Sequence, residues 1–150
     1  LGLAADMFEQ TLVDSQRILG PNHPHTLTSR NNLASTCLAM GKFDRAIDLF
    51  EQNLAESQII LGPDHPHAIA SRGNLAAAHR DAGRLDEAIG LFERTLADCE
   101  RVLGPNHPQT ELFKNKLAAA YWAAERPEDA KALLGPLPDI DGTDADRTGD

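Results

Sequence analysis

The hexapeptide LGPNHP begins at Leu19, returns as LGPDHP at Leu61 and again as LGPNHP at Leu103, which sets a period of 42 residues. An ungapped comparison of residues 19–60 with 61–102 matches 20 of 42 positions. A fixed period of this length marks stacked supersecondary units, each of which buries its apolar face only against its neighbours. Residues 103–135 form a third, diverged copy, and residues 2–18 match the second half of a copy, with Phe8, Phe50 and Phe92 in register. The expected organisation is a truncated repeat over 1–18, repeats over 19–60, 61–102 and 103–135, and an acidic tail over 136–150. The chain opens in mid-repeat at Leu1, with Leu3, Met7 and Phe8 short of cover. Further upstream repeats, or self-association through the N-terminal helix, are therefore expected.

Each copy predicts two helices. The first runs from Thr26 to Met40, with Leu27, Leu33 and Leu38 among small residues, and stops at Gly41. The second runs from Phe43 to Leu61, with Phe43, Ala46, Ile47, Phe50 and Leu54 at helical spacing and Asp44 in the first turn. Gly62-Pro63 ends it. The second copy predicts helices over Ala68–Ala82 and Leu85–Leu103, and the third over Thr110–Ala124 and from Pro127 to the Gly135-Pro136 stop. With the unpaired helix Leu3–Leu19 the count is seven. Aromatic residues are only 5% of the chain while alanine and leucine dominate, which suits close-packed helices better than a sheet.

These helix pairs resemble tetratricopeptide repeats, and the 42-residue length with an LGPxHP turn ahead of an Asn-Leu-Ala helix resembles the kinesin light chain type. The matching residues are Leu33, Ala34, Gly41, Ala46 and Phe50, then Leu75, Ala76, Gly83, Ala88 and Phe92, then Leu117, Ala118, Tyr121 and Ala130. The family's first-helix tyrosine is replaced by Cys37 and His79, and its glycine between helices by Glu125, so the third copy is expected to pack less regularly. The resemblance implies an all-α, right-handed superhelical solenoid of antiparallel helix pairs. It also implies that first-type helices line a concave groove and second-type helices form the convex back.

Composition removes several classes of function. The 150 residues carry a net charge of −9, and an acidic chain is ill suited to neutralising nucleic-acid phosphates. No apolar run approaches the roughly 20 residues that span a bilayer, and no basic region precedes an apolar core at the N-terminus. Cys37 and Cys99 alone make no disulfide framework, so reduced thiols and a cytoplasmic location are expected. Residues 136–150 hold five Asp, one Arg and almost nothing apolar, which predicts disorder.

Candidate chemistry is sparse. His23-Pro24-His25, His65-Pro66-His67 and His107-Pro108 invite a zinc reading, but no four-ligand set converges on any of them. The expected role is a turn histidine that satisfies exposed backbone groups. Cys37 and His79 are expected to pack, and Asp98 and Glu100 should raise the Cys99 thiol. Asp139 to Asp150 has glycine and acid at the wrong places for a calcium loop. Dinucleotide, Walker, nucleophile-elbow and zinc-protease motifs do not occur. No enzyme, cofactor or metal is expected.

Charge placement says more. The three first-type helices carry Arg30, Arg72, Arg80, Lys114 and Lys116 against Asp81 and Glu111, while each complete second-type helix balances to −3. If first-type helices line the groove, an acidic protein has a basic groove that would attract a carboxylate-bearing segment; alternatively these are ordinary solvated charges. Asn32 and Asn74 recur in one register, held by Lys116 beside Asn115 in the third copy. Asparagine is unfavourable inside helices. Its amide both donates and accepts, so it can bond an extended peptide backbone, and the resemblance implies that use; shared ancestry of the repeats is the other explanation. Arg80 and Trp122, in equivalent positions, supply a cationic and an aromatic anchor. The expected contact surface is Arg30, Asn31, Asn32, Arg72, Asn74, Arg80, Asn115, Lys116 and Trp122. The function expected is a non-enzymatic scaffold that binds a peptide or protein segment, acidic in character, in the groove. The alternative is a sensor or oligomerisation module of a larger, nucleotide-driven signalling protein.

Overall fold

The computed structural model of the chain describes residues 1–135; the acidic tail and its calcium-loop-like stretch lie outside the described residues. Among the described residues seven helices follow one another: α1 Gly2–Leu19, α2 Pro24–Ala39, α3 Phe43–Leu61, α4 Pro66–Asp81, α5 Leu85–Val102, α6 Pro108–Ala123 and α7 Pro127–Leu134. Each packs chiefly on the helix before and the helix after it, which makes the chain an all-α repeat solenoid.

The first-type helices α2, α4 and α6 start two residues earlier than the apolar pattern predicts, at the prolines of the LGPxHP turn. Proline fits the first helical position, where its missing N–H costs nothing. The histidine before it supplies the cap. His23 Nδ1 accepts from the His25 backbone N–H at 3.2 Å, His65 Nδ1 from that of His67 at 3.1 Å, and His107 Nδ1 from that of Gln109 at 3.1 Å. Three equivalent helices thus begin on one device, and the turn histidines act on backbone groups as the sequence suggested.

The tight turns within repeats also recur bond for bond. Gly41 N–H donates to Leu38 O and Lys42 N–H to Cys37 O; Gly83 and Arg84 repeat this with Arg80 and His79, and Glu125 and Arg126 with Trp122 and Tyr121. The turn needs a left-handed residue, with φ of 71° at Gly41 and 77° at Gly83. Glu125 adopts it too, at φ 58°, against the penalty a Cβ meets there. The third repeat therefore keeps the regular turn. What it lacks is length, because α7 has eight residues.

The core runs unbroken along the array. Leu12, Leu33, Ala34, Cys37, Ile47, Phe50 and Leu75 fill the first half, and Ile69, Ala76, Ile89, Phe92, Phe113, Leu117 and Tyr121 the second, with Leu91 touching both. Ala46, Ala88 and Ala130 are fully buried at one register, so second-type helices approach their partners closely. Buried residues surround most of the circumference of the first-type helices, small and apolar side chains together with a few polar ones.

Candidate functional site

The first-type helices place the expected contact residues in three different environments. Arg30 and Arg72 are corrections: they are 1% and 2% exposed and face inward. Arg30 pairs with Glu56, and Arg72 with Asp98, each carboxylate standing on the second-type helix of the same repeat, 26 residues on. Their methylene stems share the core while the guanidinium reaches a carboxylate at its edge. Two of the five basic residues assigned to the groove are thereby spent inside the repeats. Arg101 extends the second pair, donating to Asp98 at 3.1 Å and to both oxygens of Asp64. Burial alone would raise the Asp98 carboxyl, but the hydrogen bonds of Arg72 and Arg101 overcome it and hold the group below the ordinary carboxylate range.

Asn31 and Asn74 come together. Asn74 Nδ2 donates to Asn31 Oδ1 at 3.0 Å and ties α4 to α2 across the surface between them. This bond leaves the Asn74 carbonyl and the Asn31 amide N–H for a third party. The pair lines a cleft of about 240 Å³ with Thr28, His67, Ala70 and Ser71. Those four residues were missed in the sequence, yet the signal was present: His67, Ala70, Ser71 and Asn74 stand at i, i+3, i+4 and i+7, one helical face. Asn32, the register equivalent of Asn74, is exposed one residue away from the cleft, and Asn115 is exposed on α6.

The cleft exists because residue sizes alternate along the repeat. In the next step of the array, the register of Ser71 is held by Phe113 and that of Asn31 by Gly73. Phe113 is buried against Gly73, where an added Cβ would stand 2.1 Å from its ring. Between α2 and α4 the polar, smaller pair leaves the space open; between α4 and α6 the phenyl ring fills it.

Farther along the surface, Lys116 lies over the Phe113 ring, 5.5 Å from its centroid. Burial, and then the charge of Arg80, push the Lys116 ammonium below the ordinary lysine range, so two cations from α4 and α6 share one neighbourhood. Arg80 is steadied by Asp81, which it reaches through Nε at 3.0 Å and Nη2 at 2.8 Å. Trp122 presents a side chain 51% exposed on α6. A larger cleft of about 480 Å³ opens at the tight-turn end of the helices, lined by Lys42, Asp44, Arg45 and Arg84 among others, but its Asp44 and Arg84 are committed to each other at 2.5 Å.

The two cysteines are buried and unpaired. The Cys99 thiol is pushed up, as the sequence suggested, but burial is the larger cause and Asp98 the second. Among the described residues no helix is long and apolar enough to cross a membrane.

A solenoid of helix pairs with a polar, amide-lined cleft and a cationic stretch between successive first helices is the architecture of a binding scaffold. A tetratricopeptide repeat profile matches residues 2–55, 36–97 and 67–135. The chain belongs to the tetratricopeptide repeat family, a family of protein–protein interaction scaffolds, and its repeats are of the kinesin light chain-like kind. A crystal structure of kinesin light chain TPR-like repeats from Podosopora anserina is 32% identical, with a TM-score of 0.79 over 87% of this chain and 62% of that one. BtubC (BKLC) from P. vanneervenii, 22% identical, shares the fold with a TM-score of 0.79 over 97% of this chain and 61% of its own. The chain thus spans about three-fifths of the solved structures it resembles. No curated protein matches it at a significant level.

Proposed function

We propose that the surface of α2, α4 and α6 binds an extended peptide or protein segment, with the amides of Asn31 and Asn74 on its backbone and Arg80 and Lys116 on a carboxylate. Trp122 closes the site as an aromatic anchor, and Asn32 and Asn115 flank it. The observation that carries this reading is the half-buried Asn31–Asn74 pair lining the cleft, since an amide pair that spans two helices keeps a donor and an acceptor for a ligand backbone. Relative to the sequence expectation, Arg30 and Arg72 support the site from within the repeats instead of touching the ligand. The acidic character of the segment rests on Arg80 and Lys116.

The packing between α4 and α6 supplies the test. Asn31→Gly with Ser71→Phe transplants that packing into the cleft and fills it. An array of extended acidic peptides is screened for binders, and the affinity of the best is compared between wild type and the double variant by fluorescence anisotropy. Loss of the backbone amide bonds should weaken binding by about 1–3 kcal/mol while helicity holds. Equal affinity for a variant with unchanged circular dichroism would remove the cleft from the binding site.

A further inference from the structure

The chain holds four lysines, and Lys116 stands apart from the other three. Lys42 is exposed at the start of α3. Lys114 meets Glu111 at 4.0 Å and Lys131 meets Glu128 at 3.1 Å, each on its own helix. Lys116 is half-buried, and no ion pair among the described residues holds it. Its ammonium lies over the Phe113 ring, which is itself wedged against Gly73 of α4. Across the α4–α6 step it feels Arg80, a second cation that opposes its charge as burial does. Asp81 pulls the other way, but Arg80 already engages that carboxylate through Nε and Nη2. An amine that is desolvated beside another cation is more often neutral, and the neutral amine is the nucleophile. Arg80 adds a means of recognition, because Asp81 leaves its Nη1 to hold a phosphate oxygen.

We propose that Lys116 is an acylation site whose donor is a small acyl phosphate, with Arg80 holding the phosphate and the Lys116 amine attacking the carbonyl carbon. The Nζ lone pair forms the new C–N bond. The carbonyl C–O bond to the phosphate breaks, inorganic phosphate leaves with that electron pair, and the surplus amine proton passes to water. The product is a neutral amide in place of a cation. Lys116 stands in the register of Asn32 and Asn74, so acylation sets a side-chain amide at this register in all three copies. It also removes one of the two cations from the surface of α4 and α6. Acylation thereby switches off the acidic preference of the scaffold, a consequence that rests on the proposed role of Arg80 and Lys116 as carboxylate anchors; the reaction at Lys116 does not.

The full chain is treated with acetyl phosphate at neutral pH, and each lysine is followed by peptide mapping and mass spectrometry. Lys116 should be acetylated about fivefold faster or more than Lys42, Lys114 or Lys131. In the urea-unfolded chain that preference should vanish. Arg80→Gln should slow Lys116 severalfold, since it removes both the opposing charge and the phosphate contact. Asp81→Asn, which frees the guanidinium, should speed it. An uncharged donor, p-nitrophenyl acetate, separates the two effects of Arg80: Lys116 should remain the preferred lysine, but Arg80→Gln should cost less than it does with acetyl phosphate. Equal rates at all lysines of the folded chain overturn the inference, as does a Lys116 rate indifferent to Arg80→Gln. An equal cost of Arg80→Gln with both donors overturns the acyl phosphate as the donor. Once acetylated at Lys116, the chain should bind an acidic peptide severalfold more weakly. Selective acetylation with unchanged peptide affinity would sink the carboxylate-anchor role and leave the acylation site standing.

Discussion

Tyr121 is the chain's single tyrosine, and its hydroxyl donates to Glu93 at 2.5 Å across the α5–α6 step. Burial first, then the hydrogen bond and charge of Glu93, push the phenol up to about 12, against the nearby guanidinium of Arg126, 4.7 Å above the ring. A folded value above the unfolded one means that the folded chain holds the proton longer. The associated stability is fully present below about pH 10 and is lost as pH rises from there through about 12. With one tyrosine, phenolate absorbance reports the site directly. The midpoint should lie well above that of the unfolded chain, and Glu93→Gln should bring it down. A midpoint at the ordinary tyrosine value in folded protein would show that the Tyr121–Glu93 contact does not form. The registers of Tyr121 show how far single residues were legible. Cys37, His79 and Tyr121 all pack as their shared position implied, but the polar outlet of the tyrosine depends on a glutamate 28 residues away that no local pattern marks.

At the scale of the element, the start of each first-type helix rests on a histidine that accepts a backbone N–H. Histidine is an uncommon cap, so its effect is measurable by replacement. His107→Ala should destabilise the chain by about 1 kcal/mol, within the range found for lost N-caps, as read from chemical denaturation. His107→Asp, which caps with a carboxylate, should recover most of that and add a favourable charge at the positive helix end. If alanine costs nothing, the bond from the Gln109 backbone N–H to His107 Nδ1 contributes nothing to stability. Element boundaries were readable because Gly-Pro and Pro at the first helical position are local signals. The two-residue error at the start of α2, α4 and α6 arose because the apolar pattern begins only where the helix meets its neighbours, one turn after the cap.

For the whole molecule, the charge asymmetry survives in reduced form. The net charge is −9, yet Arg80 and Lys116 stand together on the proposed binding surface. The affinity of an acidic peptide found by array screening should fall as salt rises from low to physiological concentration, because exposed charges are screened within about 8–10 Å there. Replacing Arg80 and Lys116 by glutamine should flatten that dependence. An affinity that ignores salt in wild type would leave the amide cleft as the whole of the site and remove the acidic preference.

The sequence by itself determined the repeat, the seven helices, the turn residues that separate them and the register in which Ala46, Ala88 and Ala130 or Phe50 and Phe92 are buried, because these follow from chain-local periodicity and from glycine and proline stereochemistry. Only the tertiary structure decided which way the polar residues of the first-type helices face. Those helices bury residues around most of their circumference, so their exposed face is narrow and a one-residue difference moves a side chain from cleft to open solvent, as between Asn31 and Asn32. An arginine turns inward where a carboxylate waits on the next helix, as Glu56 and Asp98 do for Arg30 and Arg72. Whether a cleft stays open is settled by the bulk of a residue one whole repeat away, Ser71 in one step and Phe113 in the next. Such choices depend on distances between helices, which local sequence does not encode.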